Sequence, residues 1–251
     1  MSLINSSKEI LLIAESCKIV AEVLNEIEGM IRPGVSTMEL SLKADEVIRK
    51  NGGMAAFKGY SIPGLAPYPA AICASVNSCI VHGIPSKDEI LLDGDIVGID
   101  VGVRKNGYYG DGAKTFGVGT ISKEAQALLD VTKEALARGI KQATEGARIG
   151  DVSYAIGEYI TGEGYYVADN LTGHGIGKNL HQEPSIPNHG RKGTGLRLKN
   201  GIALAIEPMV NIGTNRVREK GWEFFVADKS LSAHFEHTIV VTKNGPQILT
   251  Q

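Results

Sequence analysis

Four acidic residues lie in apolar company rather than among polar neighbours. Asp100 sits in Ile96-Val97-Gly98-Ile99-Asp100-Val101, and Asp111 follows Tyr108-Tyr109-Gly110. Glu207 lies in Leu204-Ala205-Ile206-Glu207-Pro208-Met209, and Glu236 in Phe235-Glu236-His237-Thr238-Ile239. Acids in strand-like apolar stretches are costly to bury unless they are paired or bound to metal. Asn106-Gly107 marks a tight hairpin between the first two acids. With the turn there, Asp111 faces Gly102, and alternation of side chains makes Asp100 and Asp111 diagonal neighbours on one face. A turn at Lys105-Asn106 would place them directly opposite. Either register holds the two carboxylates within about 8 Å. Such a pair repels unless a cation lies between them or one takes up a proton. Four acids together are balanced by two divalent cations, and carboxylates bridging two metals are a known hydrolytic arrangement.

Histidines supply further donors. Gly173-His174-Gly175-Ile176-Gly177-Lys178-Asn179-Leu180-His181 brings two imidazoles into a loop with three alternating glycines, which let backbone approach a cavity closely. His82 stands in Val81-His82-Gly83-Ile84-Pro85, just before the Asp100 segment. His189, His234 and His237 lack such a setting beyond proximity to Glu236, and read as structural. Other chemistries are excluded by spacing. There is no H-E-x-x-H zinc helix, no P-loop at Gly177-Lys178, no dinucleotide loop and no G-x-S-x-G elbow.

The elements that position these residues are legible in outline. Ser6-Ser7-Lys8-Glu9 and Ser36-Thr37-Met38-Glu39 are capping boxes that open two helices, ending near Gly29 and at Asn51-Gly52. Ser61 to Pro69 holds three prolines and reads as a surface loop. Strand-like segments cover Ala71 to Val76, Asp95 to Val103 and Tyr109 to Val118. The order then repeats: a helix from about Ser122 to Ala143, a shorter one to Gly164, and strands near 165–168, 202–210, 223–227 and 235–241. The two αα-β runs suggest pseudo-symmetric halves at about 1–119 and 120–251. No linker separates them, so 1–251 reads as a single domain.

Composition narrows the setting. The chain has 251 residues, 43% hydrophobic and 22% charged, which is ordinary for a folded protein. The net charge of −2 gives no footprint for nucleic acid or an anionic membrane. Cys17, Cys73 and Cys79 form no metal-type pair and suggest reduced thiols, hence a cytoplasmic protein. The apolar run Ile10 to Ala14 is too short for a membrane span, and its acidic flanks do not suit a signal peptide. The chain reads as complete.

Taken in order, Val81-His82-Gly83-Ile84-Pro85, Asp100, Asp111, Gly173-His174-Gly175-Ile176-Gly177, His181, Glu207-Pro208 and Glu236-His237-Thr238 resemble the methionine aminopeptidases. The resemblance covers nearly the whole chain. The short interval from His181 to Glu207 matches the first, bacterial-like type. It implies an α+β "pita-bread" fold of the creatinase and aminopeptidase kind, with antiparallel sheet, outer helices and a site between the halves. It also implies removal of the initiator methionine from nascent polypeptides, preferentially before a small second residue. Asp100, Asp111, His174, Glu207 and Glu236 match the ligands of two divalent ions, with Asp111 and Glu236 bridging.

Manganese, iron or cobalt suit one nitrogen among oxygens, and zinc is possible. A metal-activated water would be the nucleophile, with Glu207 accepting its proton. His181 would then donate to the oxyanion, and His82 would contact the scissile amide and help protonate the leaving amine. By the same resemblance Phe57, Tyr60, Cys73, Leu180 and Trp222 line a pocket for the methionine side chain. A monomer with transient ribosome contact is expected. Ser61 to Pro69 is an apparent insertion at the pocket rim. Proline-specific peptidases or dipeptidases of this fold are the alternative activity, and a non-catalytic binding module the remaining one.

Overall fold

The computed structural model describes residues 3–251. Helix α1 spans Ser7–Glu28 and α2 spans Thr37–Lys50. Each opens on the capping box expected of it: Glu9 returns its carboxylate to the Ser6 amide at 2.8 Å, and Glu39 does the same for Ser36 at 2.8 Å. Losing such a cap costs about 1 kcal/mol. Helix α3 runs Lys123–Gln142 and α4 runs Ile149–Gly162.

The strands Ile96–Lys105 and Tyr108–Gly117 form the expected hairpin, with Lys105 paired to Tyr108 and Gly102 to Asp111. Asn106 and Gly107 both take positive φ, at 51° and 83°, which suits a turn matched to strand twist. The strands Cys73–Val76 and Met54–Ala55 add to the hairpin, giving a four-stranded antiparallel sheet. Period-two alternation sends Val97, Ile99, Val101 and Val103 into one core with Val20, Val23 and Ile27 of α1 and Leu40, Val47 and Ile48 of α2. Asp100 is thereby turned to the face away from these helices. Each fully buried aliphatic side chain in this layer contributes about 1.5–3 kcal/mol.

The later part of the chain repeats the helix-on-sheet arrangement. A five-stranded antiparallel sheet runs in the order Gly245–Ile248, His237–Thr242, Ala203–Ile206, Thr172–Gly175, Gln182–Pro187. Leu128, Leu136 and Ile140 of α3 and Val152, Ile156 and Ile160 of α4 pack with Leu204, Ile206, Ile239 and Val241 of that sheet.

Hydrogen bonds join the hairpin strand Tyr108–Gly117 to the stretch 234–238 along one line. Ala113 and Glu236 exchange backbone bonds at 3.3 and 2.8 Å. Thr115 Oγ1 donates to the His234 carbonyl at 2.8 Å and accepts from its amide at 2.9 Å. Thr238 Oγ1 donates to the Asp111 carbonyl at 2.7 Å and accepts from its amide at 3.1 Å. Acids from both parts of the chain are carried to this seam.

Three local expectations are corrected. The stretch 202–210 is two strands, Ala203–Ile206 and Met209–Asn211, broken at Glu207-Pro208. Pro208 has no amide hydrogen for a ladder bond. Glu236 likewise lies between the strands Ser232–His234 and His237–Thr242 instead of within one. Residues 172–175, read as loop from their glycines, form a strand, and Gln182–Pro187 a second beside it.

Candidate active site

Asp100, Asp111 and Glu236 place carboxylate oxygens within 4.8 Å of one another. His174 with Glu207 and Glu236 forms a second such group, and Asp111 with His174 and His181 a third. All five expected ligands therefore meet at the seam between the sheets. Asp100, Asp111 and Glu236 are buried at 9%, 3% and 2% exposure, so water does not screen their charges. Asp100 Oδ1, Asp111 Oδ1 and Glu236 Oε1 are buried without a hydrogen-bond partner among the described residues. Orphaned carboxylate oxygens facing one another are what a divalent cation fits, since buried polar atoms otherwise find partners.

The electrostatics agree with the geometry. Burial pushes Asp100 up to about 7, with Glu207 adding repulsion against a lowering influence from His234. Burial also holds Asp111 well above the usual carboxylate range, reinforced by Asp100 and Glu207. Glu207 is raised by burial alone, and Glu236 by burial and then by Asp111, Glu207 and Asp100. Without cations these acids share protons, and with divalent ions they ionise.

The histidines around them are neutral. Burial drives His174 down to about 3 and His82 down to about 4, and lowers His181 as well. His174 Nδ1 lies 3.0 Å from the Gly175 carbonyl oxygen. A carbonyl only accepts, so Nδ1 carries the hydrogen and Nε2 turns a lone pair to the acids. That nitrogen is 3.4 Å from Glu207 Oε1 and 3.8 Å from Asp111 Oδ2. His181 Nδ1 is 3.0 Å from the Tyr60 hydroxyl, and its ring meets that of His174 edge-on at 4.5 Å. His82 takes a left-handed backbone at φ 59°, and its ring meets Phe224 edge-on. Gly83 behind it touches the Ala74 carbonyl so closely that no side chain could stand there.

The acids form the floor of a cavity of about 150 Å³. An apolar-walled space of about that size takes a benzene-sized group. Phe57, Tyr60, Cys73, His82, His181 and Trp222 line it. Leu180 does not line it. It is buried behind the wall with Phe57, Tyr68, Ala70 and Cys73.

Two residues were missed in the sequence. Tyr68 falls in the stretch read as surface loop, yet it is 3% exposed, lines the cavity and donates to the Gly83 carbonyl at 2.8 Å. A single aromatic between Pro67 and Pro69 was the available signal. The same loop reaches Trp222, whose Nε1 donates to the Ala66 carbonyl at 2.8 Å. His234, read as structural, comes within 3.4 Å of Glu207 Oε2. Its position two residues before Glu236 was the only hint.

The metallopeptidase family M24 model matches residues 12–243. A methionine aminopeptidase of Clostridium acetobutylicum is 44% identical over 252 residues, covering 100% of this chain and 99% of its own. Methionine aminopeptidase 1 of Bacillus subtilis is 42% identical over 253 residues, with both chains covered in full. The crystal structure of methionine aminopeptidase from Thermotoga maritima superposes with a TM-score of 0.95 at 42% identity, covering 99% of this chain and 98% of that one.

The chain belongs to the methionine aminopeptidases of metallopeptidase family M24.

The pita-bread fold is therefore the one expected, and the likeness to longer peptidases is confined to it. A prolidase from Pyrococcus furiosus superposes with a TM-score of 0.81 at 24% identity, and this chain covers 65% of it. That level of identity shows a shared fold and does not favour the proline-specific alternative. No helix among the described residues is long and apolar enough to cross a membrane.

Proposed function

We propose that Asp100, Asp111, His174, Glu207 and Glu236 hold two divalent ions, with which this aminopeptidase removes the N-terminal methionine of nascent polypeptides. The observation that carries this reading is the meeting of orphaned carboxylate oxygens at the floor of a mostly apolar cavity. Bound there, divalent ions acidify a water and polarise the scissile carbonyl. One imidazole among oxygens suits manganese, iron or cobalt, with zinc an option. Asp111, His174 and Glu236 each belong to two of the three donor groups, and of these only the two carboxylates have a second oxygen with which they could bridge two ions.

The remaining steps fall to side chains. Glu207, its affinity for protons raised by burial, accepts the proton of the attacking water. Tyr60 donates its hydroxyl hydrogen to His181 Nδ1, which fixes the ring with Nε2–H free to stabilise the developing oxyanion. His82, whose buried Nδ1 has no partner among the described residues, contacts the scissile amide and assists departure of the amine. Phe57, Tyr60, Cys73 and Trp222 enclose the methionine side chain, with Leu180 supporting the wall. Soft and aromatic surfaces of this kind suit a thioether. Three buried free thiols accord with a reducing, cytoplasmic setting. A small second residue, action as a monomer and transient ribosome contact complete the reading, as does a single domain of two related halves.

The reading is tested by comparing turnover of Met-Gly-Met and Ala-Pro peptides, each with chelator and after metal add-back. Met-Gly-Met hydrolysis should vanish with chelator and return with manganese or cobalt. Preferential cleavage of Ala-Pro, or full activity in chelator, would overturn it.

A further inference from the structure

The Glu207 carboxylate lies between two imidazoles, one facing each oxygen. His174 Nε2 is 3.4 Å from Oε1, and His234 Nε2 is 3.4 Å from Oε2. The two rings are not equivalent. The Gly175 carbonyl fixes the proton of His174 on Nδ1, so its Nε2 presents a lone pair. His234 Nε2 has no hydrogen-bond partner among the described residues, although the residue is buried at 3% exposure. Its backbone cannot drift, since Thr115 Oγ1 bonds both its amide and its carbonyl. Its strand, Ser232–His234, is paired through Met209 to the segment that follows Glu207.

We propose that His234 is a positioning residue for Glu207, donating Nε2–H to Oε2 so that Oε1 is the oxygen held beside His174. The proposal rests on the reading that these acids hold divalent ions. A lone pair of His234 facing the lone pairs of Oε2 would be repulsive, whereas an N–H there is attractive and satisfies both buried atoms. A separation of 3.4 Å needs only a small ring or carboxylate rotation to reach the usual hydrogen-bond length of about 2.9 Å. Held in this way, Glu207 keeps one oxygen for metal and cannot swing to chelate with both. The partner of a ligating carboxylate typically accounts for about 10–100-fold in metal affinity.

The competing role is a second nitrogen ligand, and two substitutions separate it from the proposed one. His234→Gln retains an N–H donor but replaces the imidazole lone pair with an amide, a poor metal ligand. His234→Ala removes both. Chelator-stripped wild-type and variant proteins are titrated with Co²⁺, following heat of binding and the visible cobalt spectrum, and kcat and KM are measured on Met-Gly-Met. The proposal expects His234→Ala to weaken cobalt binding about 10–100-fold and to lower kcat more than KM. It expects His234→Gln to stay within about threefold of wild type, with the same cobalt spectrum. A His234→Gln protein as impaired as His234→Ala, with a shifted spectrum, would overturn it, as would wild-type affinity in His234→Ala. A wild-type protein that takes up no cobalt would overturn the metal reading itself, an outcome the variants cannot mimic.

Discussion

The hydroxyl of Thr238 clamps the backbone of Asp111, donating to its carbonyl at 2.7 Å and accepting from its amide at 3.1 Å. A residue late in the chain thus sets the height of an acid contributed by the first hairpin. Both groups of Asp111 are buried, so removing the hydroxyl leaves a donor and an acceptor unpaired. Thr238→Val should destabilise the protein by about 1–3 kcal/mol in a denaturant melt. It should also weaken metal binding while leaving the overall secondary structure intact. A melt matching wild type would show that the clamp does not hold the acid in place.

Asp111 tests the metal site more severely. Asp111→Asn keeps the shape but removes one charge from the cluster and from two of its donor groups. Turnover of a Met-Gly-type peptide should be abolished, and elemental analysis should show loss of at least one tightly held ion. Normal turnover in this variant is incompatible with the proposed ligand set.

His181 is expected to act on substrate and not on metal, although it can join Asp111 and His174 in one donor group. His181→Ala should therefore lower kcat by about 10²–10³ with metal content unchanged. Tyr60→Phe should give a smaller fall of the same kind, because the ring loses the hydroxyl that orients it. Metal lost in parallel with activity would assign His181 to the ligands instead.

Stability in the absence of metal should depend on pH in a direction set by the acids. Asp100 is held up at about 7 by burial and by Glu207, and Asp111, Glu207 and Glu236 are raised well above the usual range, burial again being the main cause. The folded chain then keeps protons that the unfolded chain has released above about pH 4, so stability falls as pH rises. His82 and His174, lowered to about 4 and about 3 by burial, act the opposite way, but only below about pH 6.5, where unfolded histidines gain protons. Between about pH 7 and 9 the carboxylates act together with Cys17, Cys73 and Cys79, whose thiols burial raises while unfolded thiols lose protons near about pH 8.5. Both lower stability as pH rises, and only the carboxylate part is relieved by manganese. Chelated protein should lose Tm across that window, and the gain in Tm from added manganese should widen. A chelated Tm that rises with pH there would contradict the buried, mutually repelling arrangement.

The parts of this molecule legible in the sequence are those fixed by neighbours along the chain. Ser6 with Glu9 and Ser36 with Glu39 declare their helices within one turn, and Asn106-Gly107 sets the hairpin register that makes Asp100 and Asp111 diagonal neighbours. Pro208 was a legible break after Glu207, hidden because the apolar run continues across it. The strand Thr172–Gly175 was obscured by its glycines, which are required because Gly173 and Gly175 press against the Ala205 and Glu183 carbonyls. Tyr68 and His234 were missed for a different reason. Their surroundings come from Gly83 and from Thr115 with Glu207, and no local pattern reports a contact made across the fold.

The converging acids Asp100, Asp111, Glu207 and Glu236 share one proposed role, to hold divalent ions. Anomalous diffraction from crystals grown in manganese locates such ions atom by atom. Two manganese peaks are expected among Asp100, Asp111, His174, Glu207 and Glu236, with Asp111 and Glu236 touching both. Density with no peak at that seam, or with the carboxylates turned out to solvent, would contradict it.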